Sequence, residues 1–535
     1  MLKNPLYVYG SNDFQLPGRL NFGEFIIDKL KTQGEKIALI NGATHEVLTY
    51  KDVLQQAMNF AISLTRLGVR KGDVVALCSE NRNEYCGAVI GVTCTGAALT
   101  TISTAYAKGE IKHVMSISKP KYIICSPVVY KNNEKLLKTF NHIKKVIVFG
   151  KERPTNTLSY EDLAIANNQL KNVNYEEFKC VDVKGQDDTL FILYSSGTTG
   201  LPKGVMLSHL NVLTACCIPS SLDPNALAVA ISPWYHAMGL VGFLSWFGYG
   251  ISAVYLPKFD VELYLKTIEK YRAVLLRVVP PVLISVCKST LKCDLSSVKV
   301  IYSGAAPLHR DTIKAAHDKF PNLQGVLQGY GASETTLALC RYTHVATSKP
   351  GSVGKVVPGT VIKIVDIETR KPLGPNQQGE ICAKGSVLMK GYIGGGKNDD
   401  FDEEGFYKTG DVGYYDEDEF FFISDRLKEL IKYKGYQVPP AEIEALLLQH
   451  EAVRDAGVVG IPHKAAGEVP LAFVVLQPGK RASEQEIKDF VAERLSNPKH
   501  LRGGVRFIDA IPKNPSGKIL RKELRKMLKS SKSKI

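Results

Sequence analysis

Tyr194-Ser195-Ser196-Gly197-Thr198-Thr199-Gly200-Leu201-Pro202-Lys203-Gly204 is the stretch whose reading decides the fold. The residues before it, Thr189 to Leu193, are apolar and partly β-branched, which predicts a buried strand running into a loop. Gly197, Gly200 and Gly204 allow backbone conformations and close approaches that a Cβ would block. The hydroxyls of Ser195, Ser196, Thr198 and Thr199 and the ammonium of Lys203 add donors, and no carboxylate offsets them. A loop of that kind suits an anion, with phosphate the obvious candidate. It is not the P-loop, in which Gly-Lys-Ser/Thr leads into a helix. Here the lysine follows Pro202.

Upstream, Val53, Ala57, Phe60, Ala61 and Leu64 recur at helical spacing behind Thr49, a plausible N-cap, and Gly68 stops the run. A strand is expected at Val74 to Leu77. Helix-then-strand alternation continues through Val146–Phe149, Val274–Val279 and Val298–Tyr302, which argues for parallel sheets covered by helices. Cys86 to Ala107 and Met238 to Leu256 are uncharged and long enough to cross a bilayer. The first is rich in threonine and the second is cut by four glycines, so each reads as a buried helix followed by a buried strand, and no membrane span is expected.

After about Ser424 the texture changes. Pro439-Pro440 opens a helix, strands follow at Ala456–Ile461 and Leu471–Leu476, and Ser483 and Glu486 form a capping box before an Ile487, Phe490, Val491, Leu495 stripe. The fold class is therefore α/β: a large part, 1–424, of helix-covered, largely parallel sheets, and a small α+β part, 425–535, with the boundary at Asp425-Arg426-Leu427-Lys428.

The chain's 535 residues are 44% hydrophobic and 23% charged, as in ordinary globular proteins. Eleven cysteines without a CxxC pair suggest reduced thiols in an intracellular compartment and argue against a zinc site or disulfide framework. Met1 to Pro5 lacks the apolar core of a signal peptide. Much of the +15 net charge lies after Lys513, where Glu523 is the lone acid. Without aromatic interleaving or a nucleic-acid motif, that tail reads as solvated, serving a phosphate-rich substrate; no nucleic-acid partner is expected.

Four more segments carry chemistry. Tyr302-Ser303-Gly304-Ala305-Ala306-Pro307 ends a strand in a turn of small residues, where backbone can pack on a flat base. Gln328-Gly329-Tyr330-Gly331-Ala332-Ser333-Glu334-Thr335-Thr336 offers an aromatic face, a hydroxyl and a carboxylate; Tyr330 can stack on a purine while Glu334, a hard oxygen ligand, holds Mg²⁺. Tyr407-Lys408-Thr409-Gly410-Asp411 presents a carboxylate after a glycine turn. Asn514-Pro515-Ser516-Gly517-Lys518-Ile519 puts a lysine on a glycine-loosened loop. Asp416-Glu417-Asp418-Glu419 reads as a solvated turn between strands.

In this order the motifs resemble the adenylate-forming superfamily of acyl-CoA synthetases, coumarate–CoA ligases and beetle luciferases, over nearly the whole chain from Thr49 to Lys518. The resemblance implies a two-step reaction. A carboxylate attacks the α-phosphorus of MgATP to give an acyl-adenylate and pyrophosphate, and a thiol, usually coenzyme A, then displaces AMP. It implies that Ser195, Ser196, Gly197, Thr198, Thr199, Gly200 and Lys203 hold the β- and γ-phosphates. Gly304, Ala305, Gln328, Gly329 and Tyr330 frame adenine, Ser333 meets the α-phosphate, and Glu334 takes Mg²⁺. Asp411 and Arg426 bind ribose, and Lys518 bridges carboxylate and phosphate. His236 stands near the reacting carboxylate, with Tyr235, Met238, Gly242 and Gly304 shaping the acyl pocket. The small domain is implied to be a mobile lid hinged at Asp425 to Lys428, with Lys434, Gly435 and Tyr436 lining the coenzyme A channel.

Asp416 to His450 looks especially like beetle luciferases and their insect acyl-CoA synthetase relatives. Two departures weigh against light emission. Asn211 to Asp223 contains no basic residue where luciferases have an arginine, and Ala237-Met238-Gly239 replaces their Gly-Phe-Gly pattern. A flexible methionine suits an aliphatic acid better than a rigid bicyclic ring. The expected order is acyl-CoA synthetase, then aryl-CoA ligase, then luciferase. Ser533-Lys534-Ile535 is one conservative change from the Ser-Lys-Leu peroxisomal address, so import through the peroxisomal receptor is expected, with cytosol the alternative.

Overall fold

Thr49 takes the N-cap of the helix Tyr50–Arg66 and closes a capping box with Asp52. Val53, Ala57, Phe60, Ala61 and Leu64, the expected stripe, are all buried. In the computed structural model the described chain omits residues 1–3, 12–13, 152, 168–169, 197–200, 219–222, 307, 309, 343, 396–399, 514–516 and 532–535. Gly197, Thr198, Thr199, Gly200, the Asn514-Pro515-Ser516 segment and Ser533-Lys534-Ile535 therefore lie outside the described residues, as does the side chain of Ser196.

Two large sheets are parallel through their centres; the first has antiparallel pairing at one edge and the second at both. The first runs, in spatial order, Gly391–Tyr392, Pro202–Ser208, Thr189–Ser196, Ala98–Thr101, Val74–Cys78, Tyr122–Cys125, Lys145–Val148 and Leu158–Ser159. The second runs Lys355–Val356, Cys340–Arg341, Gly325–Tyr330, Val300–Ser303, Leu275–Val278, Leu227–Ala230, Ser252–Tyr255, Ile37–Asn41 and Val47–Thr49. The two uncharged stretches form the helices Asn83–Cys94 and Ala237–Tyr249, each followed by a strand. Both helices are buried on almost every side, which explains why neither carries a polar face. Among the described residues no helix is long and apolar enough to cross a membrane.

A third, wholly antiparallel sheet was not anticipated. It orders Tyr7–Tyr9, Thr360–Val365, Gly379–Gly385, Tyr407–Tyr415 and Phe421–Arg426, with Pro372–Leu373 on Thr360–Val365. It corrects the reading of Tyr407 to Asp411, which is a strand and not a turn. Gly410, at φ +69°, lies where the register with Gly379–Gly385 is irregular, as in a bulge. Nor is Tyr194 to Gly204 loop throughout, because Ser196 pairs with Pro202, Ser195 with Lys203 and Tyr194 with Gly204 in an antiparallel hairpin. The acidic turn after Tyr415 is the expected exposed link between strands at Glu417, Asp418 and Glu419, and differs at its first residue. Asp416 is buried, accepts from the backbone N–H of Asp418 and Phe420, and pairs with Lys349 at 2.5 Å.

The small C-terminal sheet orders Tyr436–Val438, Ile431–Tyr433, Gly467–Leu476 and Val453–His463, with Val505–Phe507 on Gly467–Leu476. Asp425 and Arg426 belong to the last strand of the antiparallel sheet, and the C-terminal sheet begins at Ile431. Asp425 reaches across this boundary: its Oδ2 accepts the N–H of Ala441 at 2.8 Å, in the first turn of the helix Pro440–Leu447.

Candidate active site

The hairpin from Thr189 to Ser208 brings Lys203 to the site. Its Nζ lies 4.4 Å from the ring centre of Tyr392, a cation–π contact. The Tyr392 hydroxyl donates to Oε1 of Glu334 at 2.9 Å. Glu334 opens from the short 3₁₀ turn Ser333–Thr335 and is 7% exposed. The turn is tightly held: a Cβ on Gly331 would stand 2.3 Å from the carbonyl oxygen of Leu337. Thr336 adopts φ +62°, a costly conformation for a β-branched residue, and its hydroxyl donates to the Val387 carbonyl at 2.6 Å.

A second polar cluster forms where the antiparallel sheet meets the strand Gly325–Tyr330. Tyr330 donates its hydroxyl to Oδ2 of Asp411 at 2.7 Å, and Oδ1 faces Nε of Arg426 at 3.2 Å. Asp411 and Arg426 are register partners, so strand pairing fixes that second contact. Burial raises the Asp411 carboxyl above its ordinary range, against the pull of Arg426, Tyr330 and Lys518. Gln328 has a supporting part, its Oε1 accepting the N–H of Leu308 at 3.3 Å. Ala305 takes φ +71°, so the turn after Ser303 holds an alanine in a region that favours glycine. A Cβ on Gly304 would stand 3.5 Å from the Gly329 carbonyl oxygen and 3.7 Å from Sδ of Met238. The expected adenine wall and acyl wall therefore share Gly304.

Lys518 joins this cluster from the other end of the chain. Burial and the nearby Arg426 lower its ammonium pKa, while Asp411 and Glu334 act in the opposite direction. His236, at the N-cap of the helix Ala237–Tyr249, is pushed down to about 4 by burial and by the Lys518 charge, so it is neutral at pH 7. The C-terminal part packs closely here at Gly517, whose Cβ would lie 2.5 Å from Cγ of Pro281. Ser195, Lys203, Tyr330, Asp411 and Arg426 thus come from strands of three sheets, Ser333 and Glu334 from a 3₁₀ turn, His236 from a helix N-terminus and Lys518 from the C-terminal part. Lys434, Gly435 and Tyr436 are elsewhere. Lys434 (φ +46°) and Gly435 (φ +84°) form the two-residue turn between Ile431–Tyr433 and Tyr436–Val438, and Tyr436 is exposed.

Beside Met238 lie residues that the sequence reading missed. A narrow cavity of about 10 Å³, room for one water, is lined by Met238, Phe243, Trp246 and Arg277 among others. Gly242 lies against Arg277: a Cβ there would stand 2.3 Å from Nη1. Tyr392 and Arg277 could have been flagged, the first as a lone tyrosine after Gly391 and the second as a cation inside an apolar strand.

The residues fit a magnesium nucleotide. One oxygen of buried Glu334 is occupied by Tyr392, leaving the other for a cation. A single hard carboxylate beside a phosphate loop suits Mg²⁺, which draws most of its shell from phosphates and water.

The sequence profile of the AMP-binding enzyme family matches residues 27–393, and that of the AMP-binding enzyme C-terminal domain matches 442–518. A luciferin 4-monooxygenase of Nipponoluciola cruciata is 40% identical, over 93% of this chain and 92% of its own. A probable 4-coumarate–CoA ligase of Dictyostelium discoideum is 38% identical, over 94% of each. The solved structure of ATP-bound MatB from Rhodopseudomonas palustris superposes with a TM-score of 0.85 at 28% identity, over 96% of this chain and 99% of that one. The chain belongs to the AMP-binding enzyme family, the adenylate-forming superfamily with luciferase-like relatives.

Proposed function

We infer that the protein is an AMP-forming acid–thiol ligase: it activates a carboxylic acid with ATP as the acyl-adenylate, then transfers the acyl group to coenzyme A. The observation that carries this reading is the docking of Lys518 beside Asp411, Glu334 and His236. A carboxylate is a weak nucleophile, and the pentacoordinate phosphorus gains negative charge, so positioned cations and donors govern the rate. Lys518 lies between acid and α-phosphate and neutralises both. Lys203 and the hydroxyls of Ser195, Ser196, Thr198 and Thr199 hold the β- and γ-phosphates, and Ser333 holds the α-phosphate. Asp411 accepts from a ribose hydroxyl beside Arg426. Glu334 would hold a magnesium ion, which would supply positive charge for the departing pyrophosphate.

In the second half-reaction Lys518 withdraws, since an ammonium clamped on phosphate obstructs the thiol, and Lys434-Gly435-Tyr436 turns toward the acyl-adenylate. The exposed two-residue turn suits that task because nothing within 4 Å of a Cβ on Gly435 restrains it. Neutral His236 near the acid avoids a second positive charge repelling Lys518.

The acid is read as aliphatic, a fatty-acid-like chain against Met238, because methionine adapts to a flexible body. An aryl acid is the second reading, favoured by Trp234, Phe243 and Trp246 along the cavity and by the coumarate–CoA ligase among the relatives. The test is a panel of aliphatic and aromatic acids with MgATP and coenzyme A, following AMP and thioester. Acid-dependent AMP release with thioester formation supports the ligase; AMP release with light from luciferin and no thioester from any acid defeats it.

A further inference from the structure

Arg277 stands in the middle of the strand Leu275–Val278, whose other three residues are each 1% exposed. In the second sheet its neighbours in register are Ala230 and Tyr302. The guanidinium lies 3.9 Å from the ring centre of Trp246 and against the one position, Gly242, that leaves it space. Among the described residues, no carboxylate forms an ion pair with it and no acceptor takes a hydrogen bond from it.

A second arginine backs the first. Arg341 comes from the strand Cys340–Arg341, and its Nη2 donates to the Ile218 carbonyl at 3.2 Å. Arg277 is pushed down to about 9, first by burial and then by the charge of Arg341, and only the hydroxyls of Tyr302 and Tyr249 act the other way. The chain after Ile218, Pro219-Ser220-Ser221-Leu222, has no acid in its sequence either.

Arg277 is half-buried, its guanidinium lying on a ring face with no carboxylate paired to it among the described residues, so part of its charge is left to be met by a ligand. The location is informative: the cavity beside Arg277 begins at Met238, whose sulfur neighbours Gly304, and His236 and Lys518 stand at the reacting end. Arg277 therefore lines, with Met238, the space next to the reacting end.

We propose that the acid this enzyme activates carries a second anionic group, a distal carboxylate, which binds the Arg277 guanidinium at the inner end of the acyl pocket with Arg341 behind it. This deepens the ligase reading and rests on it. One carboxylate of an α,ω-dicarboxylic acid reacts near Lys518, the hydrocarbon between packs on Met238, Phe243 and Trp246, and the other carboxylate forms a forked pair with Arg277. The adaptable Met238 side chain moves aside to admit the body, since the cavity without substrate holds only one water. Only acids whose length spans this distance gain both contacts.

The experiment compares, in AMP release, a series of α,ω-dicarboxylates with their monomethyl esters, with monocarboxylates of equal length and with the ω-oxo acids. The wild-type enzyme is expected to prefer one diacid over each matched competitor by about 10–100-fold in kcat/KM. Arg277→Leu should reverse the order, losing the diacid and gaining the monocarboxylate, a gain that a misfolded variant cannot produce. Arg277→Lys should keep part of the diacid preference. Equal rates for diacid and monocarboxylate, or an ω-oxo acid as good as the diacid, would overturn the distal anion while leaving the ligase intact. If no acid releases AMP, the ligase reading fails, and the arginine site is judged by binding alone. Both tryptophans of the chain line this cavity, so diacid binding should change their fluorescence in the wild type and not in Arg277→Leu. No change in either protein would refute the site.

Discussion

The Tyr330 hydroxyl donates to Oδ2 of Asp411 at 2.7 Å, joining the strand Gly325–Tyr330 of a parallel sheet to a strand of the antiparallel one. The bond fixes the ring and the carboxylate together, one proposed for the adenine and the other for the ribose. Tyr330→Phe keeps the ring and removes the donor to a buried, charged acceptor. The expected loss is about 1.5–3 kcal/mol, or tenfold and more in the KM for ATP, while kcat changes less. An unchanged KM for ATP would mean that this carboxylate does not meet the nucleotide.

Lys518→Ala should slow acyl-adenylate formation by on the order of 10²–10³ and spare thioester formation from supplied acyl-AMP. Gly517→Ala should mimic it in a milder form, because a Cβ meets Cγ of Pro281 and the residue holds φ +84°. The check is pyrophosphate exchange against thioester formation, measured separately. Equal slowing of both steps by Lys518→Ala would remove the case for a lid that alternates.

The C-terminal part is held in shape by Glu444, which is buried, and Arg521, whose side chain is 12% exposed. Nη2 of Arg521 reaches both carboxylate oxygens at 2.8 Å, and Oε1 also accepts the N–H of Val458 at 2.8 Å. Arg521 opens the helix that begins a few residues beyond Lys518. Arg521→Leu leaves Glu444 buried alone and should destabilise the C-terminal part by about 3–5 kcal/mol. The double change with Glu444→Leu should recover most of it. Calorimetry of the C-terminal transition decides; a single variant as stable as the wild type would show the pair to be dispensable.

His209 and His236 give a pH dependence. Burial pushes each from its ordinary 6.5 to about 4, and Nδ1 of His209 accepts the N–H of Phe22 at 3.1 Å, which requires that nitrogen unprotonated. The folded pKa lies below the unfolded one, so the unfolded chain takes the proton first. Stability should be whole above pH 6.5 and fall as the pH drops toward 4, by about 1.4 kcal/mol per unit for each histidine. Urea midpoints across that range test it. His209→Asn, whose amide oxygen can replace Nδ1, should flatten the slope; an unchanged slope would place the titration elsewhere.

What could be read in the sequence was local. The hydroxyl-rich stretch after Thr189, the Gly329-Tyr330-Gly331 turn and Lys518 each declare themselves within a few neighbours. The alternation of helices and strands gave the parallel sheets because period and burial are short-range properties. Contacts made across the fold were not legible. Tyr392 meets Glu334 only through the hairpin edge. Arg277 looks like a stray cation in an apolar run until Gly242, Trp246 and Tyr302 surround it. The antiparallel sheet escaped notice because its strands are scattered from Tyr7 to Arg426 and are separated by irregular chain.

Pro281 follows Arg277 by four positions, at the start of the helix Pro280–Lys288. The face that Gly517 meets and a residue lining the cavity beside Met238 thus lie four positions apart in one strand–helix corner. A side chain forced into the cavity floor would tilt the landing face as well. A substitution that crowds the cavity at Arg277 is therefore expected to disturb the seat of Gly517 as well, so that a change on one side of the site is felt at the other.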